Sequence, residues 1–207
     1  AAAPPQPPPP PSVRKAPNRA LKREVCWLAA NLCAAEGSAL AAVARPHGPA
    51  LLAALVDTLG GETWPVRREC LFAVSNLIQT MAKIVNNNGR GTGLPGSSGS
   101  SGSSGSGNTN NGGGGASAVD AAVGAVQLLL DYSALPPLVA MLEVNDAEVV
   151  ASTLQAVHAL LSLSEHRHSA AVRDRCGYFK SLVDEAGGTD MLVRLQQHPN
   201  ESIYAAA

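Results

Sequence analysis

The chain has 207 residues, a formal net charge of -1, and only two Trp, three Tyr and two Phe. A charge so close to neutral gives no general attraction to nucleic acid or to an anionic membrane, so any charge-based recognition must be local. The wealth of Ala, Leu and Val with few aromatics excludes a typical β-sandwich composition and favours close-packed helices.

Residues 1–18 are mostly Ala and Pro and read as a disordered Pro-rich tail. Residues 86–117, almost wholly Gly, Ser, Asn and Thr, read as a disordered insertion. Neither tract can bury enough apolar surface to offset the entropy of ordering its backbone. The foldable part is therefore 19–207, interrupted by that insertion. In the tail, Pro7–Pro11 suits a linker better than a polyproline ligand. Arg14, Lys15, Arg19, Lys22 and Arg23 read as a solvated approach to the first helix.

Helical periodicity governs the rest. An amphipathic pattern from Arg19 to Glu36 meets a stop signal at Gly37, with Val25, Ala29, Leu32 and Cys33 as its core side. A short helix follows near Ser38–Ala44 and ends at Arg45-Pro46. A second runs from about Pro49 to Leu59 and ends at Gly60-Gly61. A long third helix starts at Pro65, where a missing N–H costs no intrahelical bond, and reaches about Val85.

Beyond the insertion the same grammar returns. Val119–Asp131 leads through Tyr132-Ser133 into Ala134–Leu142, and a long helix from Asp146 to Leu163 carries Val150, Leu154, Val157 and Leu161 on one stripe. A last set begins near Arg173, breaks at Gly187-Gly188, continues over Thr189–Gln197 and restarts after Pro199-Asn200. Short, short and long helices recurring about every 40 to 45 residues predict an all-α, armadillo-type right-handed superhelical solenoid of about four repeats. One such triplet cannot bury its own apolar face, but stacked neighbours can.

No apolar run has the roughly 18 to 20 residues of a membrane span, and the Ala/Pro start lacks signal-peptide organisation, so a soluble intracellular protein is expected. Cys26, Cys33, Cys70 and Cys176 lack metal-ligand or disulfide-scaffold spacing and read as small core residues in a reducing compartment.

Two long helices carry a second stripe that burial does not explain. At about 100° per residue, Val66, Cys70, Leu71, Val74 and Leu77 cluster on one side, and Glu69, Phe72 and Asn76 lie opposite, within roughly 60° of one another. Glu24, Trp27 and Asn31 repeat this arrangement in the first helix. An Asn amide both donates and accepts, so it can bond the backbone of an extended peptide without reading its side chain. An aromatic ring beside it covers the stem of a Lys or Arg and attracts the cation, while the Glu adds local negative potential. A single Trp and Asn four apart can be no more than a half-buried indole and a surface amide. Their recurrence at matched positions points to a peptide groove.

The wording of these helices is itself familiar. Arg23-Glu-Val-Cys-Trp-Leu-Ala-Ala-Asn31 and Arg67-Arg-Glu-Cys-Leu-Phe-Ala-Val-Ser-Asn76 resemble the groove-lining third helices of importin-alpha armadillo repeats. Ala134-Leu-Pro-Pro-Leu-Val-Ala-Met-Leu142 resembles that family's second-helix pattern. The segment from Phe179 to Tyr204, with its acidic pair, double glycine and Gln-Gln-His-Pro-Asn-Glu-Ser-Ile-Tyr ending, is similar to the family's closing repeat.

The resemblance implies the last four repeats of a nuclear import adaptor that carries basic (Lys/Arg-rich) localisation signals between cytoplasm and nucleus. It assigns Glu24, Trp27, Asn31, Glu69, Phe72 and Asn76 to the minor signal-binding site. It makes Asp184, Glu185 and Glu201 candidates for contact with the export receptor. In the third long helix Gln155 and Ala159 stand where another aromatic-Asn pair would fall. The repeats of the major site and the basic arm that engages importin-beta are not in this sequence, which suggests a fragment or a divergent product. Phe72 stands where the family usually has Trp, which weakens cation attraction there.

Other chemistry is set aside. His166, His168 and Cys176 supply only three groups at spacing unlike zinc motifs and read as a surface loop. The Gly-rich tract follows no strand and ends in no Gly-Lys-Ser/Thr, so it is not a phosphate loop. No local signature supports a catalytic triad. We therefore expect no enzyme activity, no metal and no cofactor, and no nucleic-acid or membrane partner. The competing expectation is an armadillo scaffold for another protein, such as a cytoskeletal or signalling partner.

Overall fold

A computed structural model describes residues 18–88, 114–165 and 170–207. Pro7–Pro11, Arg14, Lys15, His166, His168 and most of the Gly/Ser tract lie outside these residues. Among the described residues every regular element is helical.

The first helix, α1 (Arg19–Ala34), starts at Asn18, whose side chain accepts from the Ala20 N–H. It ends at Ala35, in extended backbone, and not at Gly37, which lies inside α2 (Glu36–Ala44). The Ser38 hydroxyl donates to the carbonyls of Leu32 and Ala35, which satisfies the helix end without a glycine. α3 (Gly48–Gly61) and α4 (Trp64–Asn88) complete the first block. α4 outruns the expected end at Val85, helped by Asn88, whose amide donates back to the Ile84 carbonyl at 2.9 Å.

The second block opens with α5 (Gly114–Asp131), which starts inside the tract read as an insertion. It turns at Ser133, which has φ 63°, into α6 (Leu135–Val139) and a 3-10 turn at Ala140–Glu143. α7 (Ala147–Leu163) follows, capped by Asp146. The closing set is α8 (Ala170–Cys176), α9 (Phe179–Glu185), α10 (Gly188–Leu195) and α11 (Glu201–Tyr204). Gly187 at the α9–α10 corner has φ 79°, a region favouring glycine. At Gly188 a Cβ would meet the Val183 carbonyl oxygen at 2.8 Å and its Cγ1 at 2.6 Å. The double glycine thus serves two purposes, one conformational and one steric.

Helices α1, α4 and α7 stack as a layer: α4 packs against α1 on one side and α7 on the other. α2, α3 and α5 pack against α4 as well, and α9 packs against α7. Helix triplets recur as α2–α3–α4 and α5–α6–α7, so the fold is an all-α repeat; the expected short, short, long order fails in the second triplet, where α5 has 18 residues against 17 in α7 because it starts upstream of the expected Val119. Its main core joins both blocks through Leu52, Leu71, Leu77, Leu129 and Leu160, all fully buried. A smaller cluster of Val139, Leu142, Leu154, Leu195 and Ile203 closes the far end. All four cysteines are buried and free, and burial pushes the Cys33 and Cys176 thiols up to about 11.

The predicted core side of α4 is buried at every position: Val66, Cys70, Leu71, Val74 and Leu77. That of α7 is buried except for Leu161, which is only partly covered. In α1 the expectation holds for Cys33 and, partly, for Ala29, and fails for Val25 and Leu32. Cys26, Ala30 and Cys33 face α4, whereas Val25 is 56% and Leu32 47% exposed, beside exposed Leu21 and Leu28. Among the described residues α1 is covered on one side only. Counting from the Trp27–Phe72 equivalence, the exposed Leu21, Val25, Leu28 and Leu32 correspond to Val66, Cys70, Ala73 and Leu77 of α4, all buried.

Candidate functional site: the outward stripes of α1, α4 and α7

Side-chain bonds as well as packing fix the spacing of the long helices. The Asn76 amide donates to the Ala30 carbonyl at 3.0 Å, and the Thr80 hydroxyl to the Cys33 carbonyl at 2.9 Å, tying α4 to α1. On the other side the Ser75 hydroxyl donates to the Ser152 carbonyl at 2.7 Å, and the Ser152 hydroxyl to Ser75 Oγ at 2.9 Å. Small residues at these positions let two backbones approach closely, so the outward side chains form one continuous wall.

On α1, Glu24, Trp27 and Asn31 are all exposed, and the indole keeps 55% of its surface in solvent. The Asn31 amide donates to the Trp27 backbone carbonyl at 2.9 Å, one turn back on its own helix, and keeps its second N–H and its oxygen for other partners. Trp27 and Glu24 line a shallow concavity of about 240 Å³ with Arg23, and Glu69 of α4 closes its far side. Glu24 is bonded to Arg23 at 2.8 Å.

On α4 the corresponding set is less open. Glu69, Phe72 and Asn76 are half-buried, and the Arg68 guanidinium lies 4.9 Å from the Phe72 ring centroid. Arg68 also reaches Asp146 at 3.1 Å, Glu148 at 2.5 Å and Glu69 at 3.6 Å. The chain's own cation therefore sits where a ligand's would, and the Asn76 amide is already committed to Ala30. Burial pulls the Arg68 pKa down, but the hydrogen bond it donates to Asp146 and the charges of Glu148, Asp146 and Glu69 outweigh it and leave the guanidinium held above its usual value. Burial likewise pushes Asp146 up, but the Val149 and Glu148 N–H groups together with Arg68 hold it below the usual carboxylate value.

Sequence reasoning gave Asp146 and Glu148 no role here. Their signal was legible: an N-cap Asp and a first-turn Glu place two carboxylates at the start of α7, and α7 is the helix stacked on α4. Across this face Glu24, Glu69, Asp146 and Glu148 stand against Arg23 and Arg68, so the local balance is negative although the chain as a whole is almost neutral. In α7 Gln155 is exposed and Ala159 buried, and neither makes an aromatic-Asn pair. Asp184, Glu185 and Glu201 are exposed on the closing set. No cluster of metal ligands occurs among the described residues.

No family model matches the chain. Among solved structures it is similar to a designed armadillo repeat protein in complex with the peptide (KR)4, at 16% identity and TM-score 0.39 over 93% of this chain and 74% of that one. It is similar to computationally designed armadillo repeat proteins for modular peptide recognition, at 16% identity and TM-score 0.39 over 93% and 75%. An engineered protein aligns at 17% identity and TM-score 0.40 over 93% and 74%. These superpositions are partial, and the repeat architecture rests on the helix order and packing described above.

Proposed function

We propose that the chain is a peptide-binding adaptor of the importin-alpha kind, which takes basic signal peptides on the outward stripes of its long helices and catalyses no reaction. The observation that carries this reading is the exposed set Glu24, Trp27 and Asn31, of which Glu24 and Trp27 share a concavity with Arg23 and Glu69. It offers an aromatic face, a carboxamide and two carboxylates to an extended Lys/Arg-containing peptide. Shuttling between cytoplasm and nucleus, an export-receptor contact through Asp184, Glu185 and Glu201, and an importin-beta contact through an arm outside this sequence complete the proposal.

The magnitudes are small. One cation-π contact of about 0.5 to 1 kcal/mol and two or three amide hydrogen bonds of about 1 kcal/mol each amount to roughly millimolar affinity. Fluorescence-anisotropy titration of a Lys/Arg-rich peptide tests it, with weak binding expected that Trp27→Ala or Glu69→Lys abolishes. Tight binding that survives Trp27→Ala would refute the assignment.

A second reading, a scaffold for a different protein partner, has its own support in the closed Phe72–Asn76 set. Under it the Lys/Arg-rich peptide binds no better than a neutral one, and Arg68→Ala does not improve it.

A further inference from the structure

The stripes of α4 and α7 continue past the Ser75–Ser152 bonds into a second concavity of about 250 Å³. Gln79, Lys83 and Asn86 of α4 face Gln155, His158 and Ser162 of α7 across a floor of alanine. Asn86 lies 14 residues beyond Phe72, roughly 21 Å along the helix, so this site is separate from the Trp27 concavity.

Its chemistry differs from that of the first concavity. No carboxylate lines it, Lys83 and His158 are exposed at its rim, and the Asn86 Oδ1 atom is buried without a hydrogen-bond partner among the described residues. A buried amide oxygen left unbonded is unfavourable, and a donor that reaches it is correspondingly rewarded. The missing complement is a group with an N–H for Asn86 and a negative charge for Lys83. A free sulfate or carboxylate supplies the charge but no such donor. An acidic residue within a peptide supplies both, through its backbone N–H and its side-chain carboxylate. Gln155, with one donor and one acceptor function exposed, suits a neighbouring peptide unit.

We infer that the slot between the C-terminal halves of α4 and α7 is a binding site for an Asp- or Glu-containing extended peptide segment, held through Asn86 and Lys83. The wall of long helices then carries two subsites of opposite charge preference. The inference stands whether or not the Trp27 concavity binds basic peptides.

The test titrates the whole chain with three labelled peptides of equal length, one Asp/Glu-rich, one Lys/Arg-rich and one Gly/Ser-rich. The acidic peptide should bind at least about tenfold better than the neutral one, and the exposed-site variant Lys83→Glu should remove that preference. Asn86→Ala should weaken acidic-peptide binding several-fold, and Trp27→Ala should leave it unchanged. Equal binding of acidic and neutral peptides, or acidic-peptide binding unaffected by Lys83→Glu, would overturn the inference. Sodium sulfate at matched ionic strength distinguishes a simple anion site: full competition by sulfate would also overturn it. Loss of only the basic-peptide signal in Trp27→Ala identifies the other subsite independently.

Discussion

Arg68 covers the Phe72 ring at 4.9 Å from guanidinium carbon to ring centroid, and in doing so fills the cation seat that the aromatic residue would offer a ligand. The guanidinium is held there by Asp146, Glu148 and Glu69 from two helices. The second stripe is therefore occupied from within, and the first is open.

Arg68→Ala is expected to strengthen binding of a Lys/Arg-rich peptide by about twofold to fivefold, the worth of one released cation-π contact. The same change removes partly exposed ion pairs and should lower stability by about 1 kcal/mol. Peptide titration and urea unfolding of the same variant separate the two effects.

At the corner of the closing set, Gly187→Ala is expected to cost about 1 to 2 kcal/mol because its φ of 79° strains any L side chain. Gly188→Ala should cost at least as much, since its Cβ would press on the Val183 carbonyl. Gly37→Ala is the control. It lies within α2 with nothing near its would-be Cβ, so it should stabilise by about 0.5 to 1 kcal/mol in thermal unfolding.

Asp146 ties pH to stability. Its folded-state pKa is depressed below the unfolded value of about 3.9. The stabilisation is thus fully present above that value and is lost as pH falls through the lower, folded-state pKa. Asp146→Asn retains a capping oxygen but not the charge, so its stability should depend less on pH below about pH 4 than that of the parent chain. Asp146→Ala should cost about 1 kcal/mol at neutral pH through loss of the α7 cap. Acid titration of helicity by circular dichroism checks both.

Leu32 and Leu77 occupy equivalent positions in two helices of similar wording, yet Leu32 is 47% exposed and Leu77 fully buried. Leu32→Ala is expected to change stability by less than about 1 kcal/mol, and Leu77→Ala to cost about 2 to 5 kcal/mol. Denaturant unfolding of the pair measures the difference.

That contrast also explains what the sequence could and could not convey. Periodicity placed the long helices and the buried face of α4, because α4 has neighbours on both sides and its pattern records both. It misassigned Val25 and Leu32, because an apolar residue reads the same whether or not another helix covers it. Gly37 read as a terminator, although the Ser38 hydroxyl next to it performs that task. The exposed Glu24, Trp27 and Asn31 followed from the helical wheel alone. The capture of Phe72 by Arg68 did not, since it depends on carboxylates 78 and 80 residues further along the chain. The Asn86 slot was hidden for a similar reason: Asn86 sits at the edge of a low-complexity tract, and it shares a face with Gln155 and His158 only when α4 and α7 are stacked.

The one-sided support of α1 also bears on how the fold comes apart. In a stack held by nearest neighbours, a layer flanked on both sides loses two interfaces on opening, and a layer flanked on one side only one. Amide exchange should therefore be fastest through α1, slowest in the middle of α4, and intermediate in α7. The helix bearing the open indole is then also the one that opens most often, so a ligand that engages Trp27 would slow exchange first in α1.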